Sequence, residues 1–172
     1  MASRAHPTSE ALENQLTLSR VLLVEDQPEV RRVVRRSLTK LGYAVVEAYN
    51  GRVAIELARQ TTFDLVVSDV RMPDLNGLEL VEALLAHDPD LPVVLTSGSL
   101  HALGERDARS LGVFAYLEKP VPLDKLRETM QRAIEERRAR LAARSEFEPC
   151  TSVERLRLPR PPEIEDEDEA DE

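Results

Sequence analysis

Residues 20–48 read RVLLVEDQPEVRRVVRRSLTKLGYAVVEA, and this stretch decides the fold. Val21–Val24 is a short unbroken apolar run. It lacks the alternation of a half-exposed strand, as expected for a strand buried on both faces of a parallel sheet. Two acids, Glu25 and Asp26, follow it directly. From Pro28 to Leu41 the period changes: Val30, Val33, Val34, Leu38 and Leu41 recur at helical spacing, while Arg31, Arg32, Arg35 and Arg36 are expected on the solvated face. Pro28 suits the first turn of that helix and Gly42 its C-terminal stop. Ala44–Val46 then starts a second apolar run, so the stretch is one β-α-β unit.

The unit repeats outward. Further apolar runs stand at Leu65–Val67, Val93–Leu95 and Val113–Leu117. Helix-period segments stand at Arg52–Gln60, Gly77–Ala86, Ala102–Leu111 and Leu123–Leu141. In the last of these, Leu126, Met130, Ala133, Ile134 and Leu141 form the apolar stripe. Strands alternating with helices at crossover length predict an α/β fold: a five-stranded parallel, doubly wound sheet flanked by five helices. The chain divides into a polar extension at 1–18, one α/β domain at 19–141 and a tail at 142–172. Pro149, Pro159, Pro161 and Pro162 make that tail Pro-rich before it turns acidic. Such a composition buries too little apolar surface to offset chain entropy, so disorder is expected there.

The net charge of −9 is concentrated at one end. Residues 163–172 hold eight acids and no Lys or Arg, and setting them aside leaves 24 acids against 23 bases. The folded part thus has no basic excess, and no helix-turn-helix or zinc spacing suggests direct nucleic-acid binding. No apolar run approaches the roughly 18–20 residues of a membrane-spanning helix. The polar N-terminus has no signal-peptide core, and the lone Cys150 can form no intrachain disulfide. A cytoplasmic location is the expectation. His6, His87 and His101 show no ligand spacing.

Open α/β sheets bind ligands beyond the carboxyl ends of their strands. Glu25 and Asp26 follow the first strand, Ser68 and Asp69 end the third, Thr96 and Ser97 end the fourth, and Glu118–Lys119 ends the fifth. Three carboxylates gathered together repel, which favours capture of a hard cation with oxygen ligands. Mg²⁺ fits, because it takes one or two carboxylates and leaves room for phosphate oxygens. A carboxylate can also attack phosphorus, with the cation, a lysine and a hydroxyl stabilising the phosphoryl oxygens. Each residue alone has a blander reading, such as a helix cap, a turn or surface charge. Their joint placement at one sheet edge is what favours a site.

Three segments carry a family resemblance: Val21-Leu-Leu-Val-Glu25-Asp26, then Asp69-Val-Arg-Met72-Pro73 with Asn76-Gly77, then Lys119-Pro120. In this order, over residues 19–140, the chain resembles response-regulator receiver domains. The resemblance implies that Asp69 accepts a phosphoryl group from a histidine kinase or phosphotransfer protein. It implies that Glu25, Asp26 and Asp69 hold Mg²⁺ together with the backbone carbonyl of Arg71. Lys119 would pair with the phosphoryl group, and the Lys119–Pro120 bond would be cis. Ser97, five residues past Pro92, matches the switch hydroxyl better than Thr96, which a regular strand points to the other face. Tyr116 matches the aromatic that turns inward when the switch closes. The face spanning 102–141 is the expected surface for a downstream protein partner or a homodimer.

Two other readings compete. Aspartate-nucleophile phosphatases of the haloacid dehalogenase type use a similar set, but need a second acid two residues after the nucleophile, where Arg71 stands here. The chain is therefore expected to be a phosphoacceptor with at most slow autodephosphorylation, not an enzyme. The second rival is a docking module that takes no phosphate. The acidic tail admits a solubilising role or contact with the Arg-rich faces at 31–36 and 137–144.

Overall fold

The computed structural model describes residues 18–73, 75, 77–98 and 110–147. Five strands form one sheet: β1 (Arg20–Val24), β2 (Ala44–Ala48), β3 (Leu65–Asp69), β4 (Val93–Ser97) and β5 (Ala115–Glu118). All neighbours are parallel, in the order β2-β1-β3-β4-β5. Four helices are described: α1 (Pro28–Lys40), α2 (Gly51–Gln60), α3 (Gly77–His87) and α4 (Leu123–Phe147). The helix expected over 102–111 lies almost wholly outside the described residues.

The unbroken apolar strands have the expected cause. In β1, Leu22 and Val24 face α2 and α3, while Val21 and Leu23 face α1 and α4. Each face of the sheet is thus one core, and β3 and β4 are buried along their whole length. The edge strands β2 and β5 are only partly covered. Local signals place the helix ends. Pro28 begins α1, and Gly42, with φ of 91°, follows its C-cap. Asn50 caps α2, its Oδ1 accepting from the Val53 N–H at 2.8 Å.

Several expectations need correction. β5 begins at Ala115, two residues later than the apolar run. Val33 is 64% exposed and Leu141 44% exposed, so neither belongs to the core stripe of its helix. Arg31 does not face solvent with the other arginines of α1; it folds over the loop after β1. Arg137 is buried on the stripe of α4, where its Nη2 donates to Asp88 Oδ2 at 2.7 Å. Nor does the tail begin at residue 142: α4 continues to Phe147, and Arg144 pairs with Asp90. Only residues 148–172 of the expected disordered tail lie outside the described residues.

Candidate functional site

The order β2-β1-β3-β4-β5 puts the reversal of winding between β1 and β3, and a crevice opens there at the carboxyl ends. Register sets what enters it. β1 ends opposite Ser68, so Glu25 and Asp26 leave the sheet beside Asp69. Asp69 is paired with Thr96, and Ser97 with Glu118, which brings Lys119 up on the far side. Backbone bonds continue each ladder one step past its strand. Glu25 N–H donates to Ala48 O at 3.1 Å, Val70 N–H to Thr96 O at 2.9 Å and Lys119 N–H to Ser97 O at 2.7 Å.

Glu25, Asp26 and Asp69 each offer a carboxylate oxygen, and these oxygens lie within 4.8 Å of one another. Glu25 is 3% and Asp69 7% exposed. Lys119 Nζ bridges two of the acids, donating to Asp69 Oδ2 at 2.7 Å and to Glu25 Oε2 at 2.9 Å. Asp69 Oδ1 accepts from the Arg71 N–H at 3.1 Å, whereas Asp26 Oδ1 is buried with no hydrogen-bond partner among the described residues. A buried carboxylate oxygen without a donor is costly unless something positive meets it. The donor set is therefore the right kind for a hard divalent cation: three clustered carboxylates, one oxygen unmatched.

The electrostatics agree. Burial pushes the Glu25 carboxyl above its usual value, even though Lys119 pulls the other way. Burial also opposes the Lys119 ammonium, but hydrogen bonds and charge from Asp69 and Glu25 outweigh it and hold its pKa above the ordinary lysine value.

The two hydroxyls that end β4 part company. Thr96 Oγ1 donates to Ser68 O at 3.3 Å across the sheet. Ser97 is fully buried and, by the pleat, turns to the opposite face. Tyr116 packs against the core shared with α2 and α3, and its hydroxyl is buried without a hydrogen-bond partner among the described residues. The Lys119–Pro120 peptide bond is cis. Arg71 is exposed, and its Nη2 lies only 3.1 Å from where a Cβ on Gly98 would stand. Asn76 lies outside the described residues.

Two residues named in the sequence, Gly77 in the second signature segment and Arg31 on the expected solvated face, were not expected among the site residues and support it. Gly77 N–H donates to Val70 O at 2.9 Å, locking the start of α3 to the strand end behind Asp69. Arg31 Nη1 donates to the backbone carbonyls of Glu25 at 2.7 Å and Asp26 at 3.3 Å. Its position one turn before Val34 and two turns before Leu38 was the available signal.

The chain is similar to known proteins. The family model for the response regulator receiver domain matches residues 21–131. The C4-dicarboxylate transport transcriptional regulatory protein DctD of Pseudomonas aeruginosa is 35% identical over 127 residues, covering 74% of this chain and 28% of the relative. The regulatory protein AtoC of Escherichia coli is 31% identical over 118 residues, covering 69% of this chain and 26% of the relative. The chain thus spans about a quarter of the length of these curated relatives. Among solved structures, the chemotaxis protein CheY4 of Vibrio cholerae superposes with a TM-score of 0.65 at 29% identity, covering 68% of this chain and 99% of the other. The response regulator TrrA of Thermotoga maritima, in complex with Mg²⁺ and BeF, gives 0.63 at 26% identity, covering 67% and 99%. Among the described residues no helix is long and apolar enough to cross a membrane.

Proposed function

The chain belongs to the response regulator receiver domain family, and on that premise we propose that Asp69 is its phosphoacceptor, working with Mg²⁺ held by Glu25, Asp26, Asp69 and the Arg71 carbonyl. A carboxylate oxygen of Asp69 attacks the phosphorus of a phosphohistidine on a histidine kinase or phosphotransfer protein. An O–P bond forms, the P–N bond breaks, and the imidazole nitrogen leaves with the electron pair and takes up a proton. The observation that carries this reading is the Lys119 ammonium bridging Asp69 and Glu25 beside an unmatched Asp26 oxygen. When bound, Mg²⁺ supplies positive charge to the transferring phosphoryl oxygens.

The protein's own groups do the rest. The Arg71 N–H fixes Asp69 Oδ1, so the carboxylate is oriented before a donor arrives. Lys119 is placed to exchange its bond to Asp69 for one to a phosphoryl oxygen. Ser97 is the hydroxyl proposed to follow the phosphoryl group, and Tyr116 the aromatic whose inward position reports it. The position two residues past Asp69 holds Arg71 and not the acid that would act as general base for water. The acyl phosphate therefore persists, with only slow self-dephosphorylation. Output is proposed to run through protein contacts of residues within 102–141, of which 110–141 are among the described residues, with a downstream protein or a second copy of the chain as partner. A cytoplasmic location fits this role.

The test is incubation with acetyl phosphate and Mg²⁺, followed by intact-mass measurement. A Mg²⁺-dependent phosphoryl adduct is expected in the wild type and absent in Asp69→Asn. A folded wild type without any adduct would support the docking-module reading instead. Sustained turnover of many phosphate esters would point to a hydrolase.

A further inference from the structure

The four arginines of α1 are alike in sequence and unlike in surroundings. Arg32 and Arg36 are exposed, and the Arg35 side chain is 51% exposed. The Arg31 side chain is only 19% exposed, and among the described residues its partners are Glu25, Asp26 and Glu47. Its Nη1 spans two successive carbonyls, those of Glu25 and Asp26. Its Nε lies 3.6 Å from Glu47 Oε1 on β2, and Glu47 also meets Arg35 Nε at 3.3 Å. Glu47 stands opposite Leu23 in the β1–β2 register, so its own place is fixed by the sheet.

From this chain of contacts we infer that Arg31 is a positioning residue for the cation site, clamping the two peptides that carry Glu25 and Asp26 and itself anchored by Glu47. The inference rests on the reading of Glu25, Asp26 and Asp69 as a Mg²⁺ site. Its physical basis is local. Among the described residues, the segment before α1 has no ladder bond to a neighbouring strand beyond the Glu25 N–H. The Glu25 N–H is still held by β2, but the Glu25 and Asp26 carbonyls lie past the ladder and are met by a side chain of α1. Arg31 makes that connection through its Nη1. Partners that orient metal ligands from behind change metal affinity by about 10–100-fold when removed.

One opposing effect must be weighed. A guanidinium near a divalent cation repels it, so charge alone predicts that removing Arg31 tightens binding. Lysine separates the two accounts. It keeps the charge but has no planar fork to reach both carbonyls and Glu47 together.

The experiment is a titration of the full chain with Mg²⁺ alone, followed by calorimetry and by amide chemical shifts of the 25–27 segment. Wild type, Arg31→Lys, Arg31→Met, Glu47→Gln and the exposed-face control Arg32→Met are compared, with thermal melts to verify folding. Positioning predicts a Kd about tenfold weaker or more in both Arg31 variants, a smaller loss in Glu47→Gln and none in Arg32→Met. An Arg31→Lys affinity within about twofold of wild type overturns the inference, as does tighter binding in Arg31→Met. Equal weakening in Arg32→Met overturns it too, because the effect would then belong to helix stability. A wild type that binds no Mg²⁺ removes the site reading itself, which is a different result from any of these.

Discussion

Gly77→Ala tests how tightly the fold holds its reactive aspartate. A Cβ at Gly77 would stand 2.7 Å from Val70 Cα, 3.0 Å from Asp69 O and 3.3 Å from Val70 O. All three are backbone atoms, so no side chain can swing aside. Restoring ordinary contact at 3.4 Å from 2.7 Å requires the start of α3 and the end of β3 to separate by about 0.7 Å. The Gly77 N–H bond to Val70 O and the Val70 N–H bond to Thr96 O resist that separation. Overpacking of this kind costs about 1–3 kcal/mol, or several degrees of Tm. The displacement falls on the peptide that carries Asp69. Since misplacement by about 1 Å can cost about 10²-fold in rate, a loss on the order of tenfold in phosphorylation is expected. The assay pairs thermal melts with the initial rate of adduct formation from acetyl phosphate. Gly42→Ala is the control. Its φ of 91° strains any L-residue, but nothing lies within 4 Å of the added Cβ. It should lower Tm, by about 1–2 kcal/mol of stability, and leave the rate alone. A Gly77→Ala protein with unchanged Tm and rate would refute the reasoning.

Lys119→Ala removes the bridge between Asp69 and Glu25 and leaves buried acids facing one another. Losing one member of a fully buried pair costs about 3–5 kcal/mol; Lys119 is 30% exposed, so the lower end of that range is an upper limit. Mg²⁺ then supplies the missing positive charge, so saturating Mg²⁺ should raise Tm more in the variant than in wild type. Equal rises in the two proteins would sink that argument. Burial alone would raise the Asp88 carboxyl, but the Arg137 hydrogen bond and charge outweigh it and hold the carboxyl below its usual range. A depressed folded pKa gives stability that is present above the ordinary carboxyl value and lost as pH falls through the lowered one. Asp88→Asn should therefore be less stable near neutrality and converge on wild type in acid melts. A stability gap that stays constant down to about pH 2 would contradict the sign.

The parts of this molecule that its sequence discloses are those set by period alone. β1, β3 and β4 announce themselves because both faces of each strand are buried, so no polar residue interrupts the run. The acids are legible for a related reason: Glu25 stands where a fully apolar run stops and Asp69 one residue past such a stop, at the end of the sheet where ligands collect. The edge strand β5 is less legible, since half-covered residues such as Val113 can belong to strand or loop.

What period does not disclose is which charged residue finds a partner across the fold. At roughly 100° per residue, Arg31 lies about 60° from Val34 while Val33 lies a full 100° away. Hydropathy nevertheless puts Val33 in the core stripe and Arg31 outside it. The structure reverses both because Glu47 and two carbonyls wait on the Arg31 side. The same reversal occurs on α4. Arg137 continues the stripe of Met130 and Ile134, and its charge is accommodated by Asp88, 49 residues earlier in the chain. Leu141 continues that stripe as well, yet it is left 44% exposed. A charge on an apolar stripe is thus a signal in its own right. It demands a partner, and here each such demand names a contact, Arg31 to the acidic loop and Arg137 to the α3–β4 turn, that joins elements apart in sequence.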